Sequence, residues 1–188
     1  MTSTASVAGD ERLRLSLALR LPDDVLDAIE RWQRGSLRDV RVVPREQLHV
    51  TLAFLGSRPA RELEPIVDAL RSAAAGAAEI RLTLERYRET RSVGMLVLDD
   101  EAGAAGALAE DVQCRLERLD VYRREGRRWL PHVTVARFRE RPRLRPEQPP
   151  GRTFVPSDAA AYLSRPRRGG VEYHVLESVA LGASVGGE

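Results

Sequence analysis

Leucine occupies every odd position from Leu13 to Leu21, the period of two that predicts a strand with one buried face. The period then changes. Pro22, Asp23 and Asp24 carry a first-turn proline and N-terminal acids, and Val25, Leu26, Ile29 and Trp32 recur at helical spacing as far as Gly35. Short strands are predicted at Val40 to Val43 and Leu48 to Leu55, the second ended by Gly56. A helix over Pro59 to Ala75 follows, with Leu63, Ile66, Val67 and Leu70 on its inner stripe. Further on come strands at Ile80 to Tyr87 and Val93 to Leu98, a helix from about Glu101 to Leu119, and a strand over His132 to Phe138. Residues 139–151 hold four prolines and predict a surface loop. Two last strands, Thr153 to Ser164 and Val171 to Leu181, flank a turn at Arg165 to Gly170, and the Gly-rich end is expected to fray.

Within this order an echo appears. The strand at 13, a helix, and a strand opening at His49 are matched by the strand at 93, a helix, and a strand opening at His132. The pattern predicts an α+β domain of two pseudo-symmetric lobes of mainly antiparallel sheet, with helices packed outside and a central cleft. At 188 residues one bilobal domain is expected, spanning 11–183, with residues 1–10 and 184–188 as flexible tails.

Both echoed strands open on nearly the same word: His49-Val50-Thr51-Leu52-Ala53 and His132-Val133-Thr134-Val135-Ala136. Threonine occurs only seven times, so its place two residues after two of the three histidines is a pattern rather than an accident. Residues i and i+2 of a strand share a face, so each lobe presents one imidazole beside one hydroxyl. Two imidazoles titrating near neutrality can act on opposite sides of a phosphorus, one as base and one as acid, while the hydroxyls donate to non-bridging oxygens. A packing role gives no reason to repeat the polar pair. A zinc site on His49 and His132 would need further ligands, and neither His174 nor any carboxylate stands at ligand spacing, so no metal and no cofactor is expected.

Charge adds a second pointer. The net charge of +2 conceals thirty arginines and no lysine. Residues 115–168 hold 15 of those arginines against six acids, and the remainder is acidic. Genome composition accounts for arginine in place of lysine. The clustering suggests one rim of a cleft that receives a phosphodiester. No window is apolar enough for a membrane helix, the start lacks a secretory signal's apolar stretch, and the lone Cys114 fits a reducing compartment, so a cytoplasmic protein is expected.

The paired motifs, with their contexts PREQLHVTLAFLG at 44–56 and WLPHVTVARF at 129–138, resemble the duplicated H-x-T-x signatures of the 2H phosphoesterase superfamily. Within it they are similar to the bacterial and archaeal RNA 2′,3′-cyclic phosphodiesterases once called 2′-5′ RNA ligases. The resemblance covers about residues 12–182. It implies a cleft holding His49, Thr51, His132 and Thr134, and metal-independent opening of 2′,3′-cyclic phosphate ends to 2′-phosphates. By the family pattern His132 would be the base and His49 the acid, although the two motifs are nearly interchangeable. It also implies RNA ends or nucleotides with such a phosphate as partners. The closing turn, with Arg165, Arg167 and Arg168 around Pro166, departs from the family in being richer in Arg and Pro.

Other residues carry less. Strict parity puts Arg137 opposite His132, so either a bulge re-aims it toward phosphate or it serves the sheet. Phe54 shares the Val50 and Leu52 face and is expected in the core rather than as a base-stacking platform. Tyr162 could stack on a base or be structural, Arg165 could meet phosphate, His174 is read as structural, and Trp129 either anchors its loop or lines the cleft. Alternatives are a cyclic phosphodiesterase for small nucleotides, 2′-5′ ligation, and a non-enzymatic RNA-binding module. A monomer is expected.

Overall fold

In the computed structural model the described residues are 11–168 and 170–182; the expected tails at 1–10 and 184–188, with most of the Gly-rich end, lie outside them. The elements follow the predicted order. Strand β1 (Arg12–Arg20) leads into helix α1 (Asp23–Ser36), then β2 (Arg41–Val42), β3 (His49–Pro59) and α2 (Leu63–Ala75). Strands β4 (Leu82–Glu89) and β5 (Val93–Asp99) precede α3 (Ala104–Arg118), and β6 (His132–Arg137), β7 (Thr153–Phe154), β8 (Asp158–Arg167) and β9 (Gly170–Val179) complete the chain. Pro156 splits what reads as one strand into β7 and β8, since proline cannot continue the ladder. Gly56 does not end β3. It sits at φ +67° where Leu15 pairs with Gly56 and Ser16 with Phe54, so it absorbs an irregularity and the strand runs on.

The nine strands of the described residues form one curled antiparallel sheet in the order β7-β4-β5-β6-β3-β1-β8-β9, with β2 beside β6. The two expected halves are therefore one sheet. They join where β3 meets β6 through a single pair, Val50 with Val133. Leu15, Leu17 and Leu19 of β1 are fully buried against the helices, each contributing about 1.5–3 kcal/mol of burial.

Helices α1 and α3 cross between the halves. α1 follows β1 but packs on the far half, where Trp32 meets Tyr87 of β4 at 5.8 Å and Gln33 bonds the Val135 carbonyl of β6. α3 follows β5 and packs on β3, where Gln113 bonds the Leu52 carbonyl. Each half is covered by the other's helix.

The proline-rich loop at 139–151 is wound around the outside of α1. The buried Glu89 carboxylate accepts from Arg141 Nε (3.1 Å), Arg143 N (3.0 Å), Leu144 N (2.8 Å) and Tyr87 Oη (3.2 Å). Trp32 Nε1 donates to the Glu147 carbonyl, and Arg152 pairs with Asp24. Part of the arginine-rich segment thus points away from the cleft: Arg141 and Arg152 are held on the helix-covered side. Glu89→Ala would take the shared acceptor from the Arg143 and Leu144 amides and from Tyr87 Oη, and is expected to cost about 2–4 kcal/mol. Urea unfolding checks this; a loss below about 1 kcal/mol would mean that water replaces the carboxylate.

Candidate active site

Each motif strand carries an extra residue. Along β3, Ala18 pairs with Thr51 and Leu17 with Ala53, so Leu52 has no partner in β1. Along β6, Met95 pairs with Thr134 and Gly94 with Ala136, so Val135 has none in β5. These are matching β-bulges at the fourth position of both motifs. At each bulge two consecutive residues turn to the core, Leu52 with Ala53 and Val135 with Ala136, all buried. Alternation then resumes out of step, so the fifth residue after each histidine returns to the histidine's face.

That shift re-aims two side chains. Phe54, expected in the core, is 52% exposed on the face of His49 and Thr51. Arg137 is exposed on the face of His132 and Thr134, and its charge acts on the His49 ring. Of the two possibilities for Arg137, the bulge is the one realised.

Projected one residue from the Val50 and Val133 pair, the antiparallel register sets His49 across from Thr134 and His132 across from Thr51. The four side chains share the concave side. His132 Nδ1 lies 2.8 Å from the Leu130 carbonyl, which can only accept, so this nitrogen carries the proton and the neutral ring keeps its lone pair at Nε2. Trp129 Nε1 donates to the Thr51 carbonyl at 3.0 Å, so this residue anchors its loop across to the first motif.

His49 lies in an aromatic corner. Its ring stacks on Tyr162 at 5.3 Å between centroids and meets Tyr173 at 5.6 Å; the two tyrosines contact edge to face at 6.2 Å over the small Ala18 and Ala160. Nδ1 of His49 is buried without a hydrogen-bond partner among the described residues. Burial first, then the charge of Arg137, lower the His49 pKa to about 4, against a smaller opposing effect of the Gln47 carbonyl. Tyr162 is only 6% exposed, so it is a wall for His49 rather than an open platform for a base. Burial raises its pKa to about 12 and keeps it a neutral phenol. Tyr173, which sequence reasoning missed, pairs with Ser164 and so falls on the Tyr162 side of the β8–β9 ladder.

Around these groups the rim is cationic and partly apolar. Arg14 sits 4.9 Å over the Phe54 ring, and Phe54 borders a cavity of about 220 Å³ with Leu55, Val121, Tyr122, Arg123 and Glu125. The ladder sets Arg86 level with His132 and Arg88 level with Thr134, each across β5, and both are exposed. Arg20 forms a bidentate ion pair with Asp158, which also accepts from Ser178. Arg165 alternates to the face opposite Tyr162 and Ser164, away from the histidines. His174 lies 3.5 Å from Glu172 and outside the cluster. Among the described residues no three His, Cys, Asp or Glu side chains are grouped as a metal site, and no helix is long and apolar enough to cross a membrane.

A family model described as the 2′-5′ RNA ligase superfamily matches residues 21–150. The fold is similar to that of TT0787 of Thermus thermophilus, at 29% identity and a TM-score of 0.80 over 92% of this chain and 100% of that one. It is also similar to E. coli LigT complexed with 3′-AMP (23% identity, TM-score 0.80, 91% and 99% covered) and with NADP+ (24%, 0.77, 92% and 99%), a likeness of fold alone. No curated protein sequence matches this chain.

Proposed function

This chain belongs to the 2′-5′ RNA ligase superfamily, and from that premise we propose that it hydrolyses 2′,3′-cyclic phosphate ends of RNA to 2′-phosphates. The observation that carries the reading is the pairing of two His and Thr sets on adjoining strands, each imidazole facing the other motif's hydroxyl, with Arg137 turned to the same side. His132, with its lone pair at Nε2, takes a proton from water as the water oxygen bonds to phosphorus. The bond from phosphorus to the 3′ oxygen breaks, and that oxygen takes its proton from His49. Thr51, Thr134 and Arg137 hold the non-bridging oxygens where charge concentrates.

His49 must be protonated to act as the acid, yet in the empty cleft its pKa is about 4. The substrate supplies the missing compensation. A phosphate anion about 4 Å away at an effective dielectric near 20 contributes roughly 4 kcal/mol, or about three pK units, which brings the group back to near neutrality. The acid therefore forms when the phosphate binds.

A nucleotide chain suits the surface better than a lone nucleotide. Phe54 under Arg14 offers a stacking face for a base. Arg86 and Arg88 stand two strand spacings, about 9–10 Å, from the motif residues, within reach of the next phosphate. LigT has been crystallised with 3′-AMP and NADP+, ligands that share the nucleotide chemistry proposed for this cleft.

The test is to incubate the protein and EDTA with an oligonucleotide ending in a 2′,3′-cyclic phosphate and to identify the product by ³¹P NMR. A 2′-phosphate is expected, at a rate EDTA leaves unchanged and salt lowers steeply through weaker binding. A 3′-phosphate would reverse the roles of the two histidines. Binding without turnover would make the protein an RNA-binding module.

A further inference from the structure

We propose that Gln33 and Gln113 are positioning residues that hold the two motif bulges, each from the opposite half, and thereby aim Arg137 at phosphate and Phe54 at the base. The inference rests on the cleft reading given above. A bulge leaves its extra residue out of the ladder with one neighbour, so the Leu52 carbonyl needs a donor from elsewhere in a dry interior, and the Val135 carbonyl, reached by Val43 N, keeps a second lone pair to fill. Both receive a glutamine amide. Gln113 Nε2 donates to the Leu52 carbonyl at 2.9 Å, and Gln33 Nε2 donates to the Val135 carbonyl at 2.9 Å. The second amide hydrogen of Gln33 goes to the Val43 carbonyl at 3.0 Å, and Val43 N completes the tie to Val135 at 2.9 Å, which clamps β2 onto the bulge.

Both glutamines are polar side chains in the core, 4% and 8% exposed. They stand 16 and 19 residues before their own motif histidines, a third member of the internal repeat, yet each bonds the other half's strand. The arrangement goes beyond satisfying a carbonyl. A strand that loses its bulge slips by one residue and turns everything beyond it to the other face. For β6 that residue is Arg137, and for β3 it is Phe54. The two amides therefore act on different parts of the substrate, one on the phosphate and one on the base.

This separation distinguishes positioning from plain stability. Gln33→Met and Gln113→Met keep the side-chain length and remove the donor. They would be compared on a 2′,3′-cyclic-ended oligonucleotide and on ribose 2′,3′-cyclic phosphate without a base, below the melting temperature of each variant. Gln33→Met is expected to lower kcat by about tenfold or more on both substrates. Gln113→Met is expected to act mainly by raising KM, about tenfold on the base-bearing substrate and less on the base-free one. Should a methionine variant fail to fold, Gln→Asn at the same position keeps a polar amide and draws its donor back by one methylene from the carbonyl.

A second readout needs no turnover. With Arg137 re-aimed, His49 in the Gln33 variant should titrate at higher pH by NMR than in the wild type, while the Gln113 variant shows a smaller change. Identical kcat and KM changes in the two variants, or wild-type values in both, would overturn the positioning role. A wild type inert on both substrates would instead refute the proposed reaction, and the histidine titrations would still decide the positioning.

Discussion

Replacing His49 or His132 by alanine is expected to lower turnover of a 2′,3′-cyclic-ended oligonucleotide by about a thousandfold or more while leaving the protein folded. In the proposed mechanism the two imidazoles serve the same displacement. Without His132 nothing removes the proton of the attacking water, and without His49 the 3′ oxygen must leave as an alkoxide. Groups that act as a unit give non-additive losses, so the double variant should be little worse than either single one. Stability responds on another scale. His132→Ala removes one hydrogen bond to a loop carbonyl, and His49→Ala removes a ring whose Nδ1 has no bond among the described residues, leaving the Tyr162 and Tyr173 contact in place. Losses of about 1–2 kcal/mol are expected in each case. Single-turnover kinetics beside thermal unfolding separates the two effects. A single variant within tenfold of wild-type turnover would sink the two-histidine mechanism.

Much of this site was legible from period and repetition. The leucines of β1 and the echo of strand, helix and His-x-Thr follow from local pattern, and local pattern survives folding. The bulges left a faint signal that period alone passes over. Leu52-Ala53 and Val135-Ala136 are apolar doublets, and an apolar doublet after strict alternation marks a register shift. Reading through it placed Phe54 in the core and left Arg137 undecided. The crossing of α1 and α3 to the opposite halves had no local signature, because Gln33 and Gln113 look like ordinary helical glutamines until their partners are known. Tyr162 stayed open for the same reason: strand parity puts it on the cleft side, and only Tyr173 and His49 together close it off. Linear charge misled most. Residues 139–152 are near His132 in sequence, but Glu89 and Asp24 draw Arg141 and Arg152 to the far side of the sheet.

Arg137→Ala sets two effects against each other, and their magnitudes decide the outcome. The guanidinium is one of the groups that lower the His49 pKa, second to burial, so its removal should raise that pKa and populate the acid more fully in the empty cleft. Taken alone, this would help catalysis near neutral pH. Against it stands, in the proposed mechanism, the loss of a cation able to meet the developing phosphoryl charge in bidentate fashion, worth about 2–4 kcal/mol, or roughly 30- to 1000-fold. The gain can be no more than part of the His49 shift, and bound phosphate already restores most of that proton, so the loss should dominate. A fall in kcat/KM of about a hundredfold is expected, with little recovery in Arg137→Lys, since a point charge does not replace the planar fork. Stability should move the other way. A histidine that is neutral when folded and titrates near 6.5 when unfolded makes the unfolded chain bind more protons between those pH values. The resulting stability is fully present above about pH 6.5 and is lost as the pH falls toward 4, by up to about 3 kcal/mol in the wild type. Raising the His49 pKa narrows that window, so Arg137→Ala should lose less stability on acidification while being the poorer catalyst. Chemical unfolding at pH 7 and pH 5, read beside the kinetics, would show both signs, and an unchanged kcat/KM would remove Arg137 from the phosphate site.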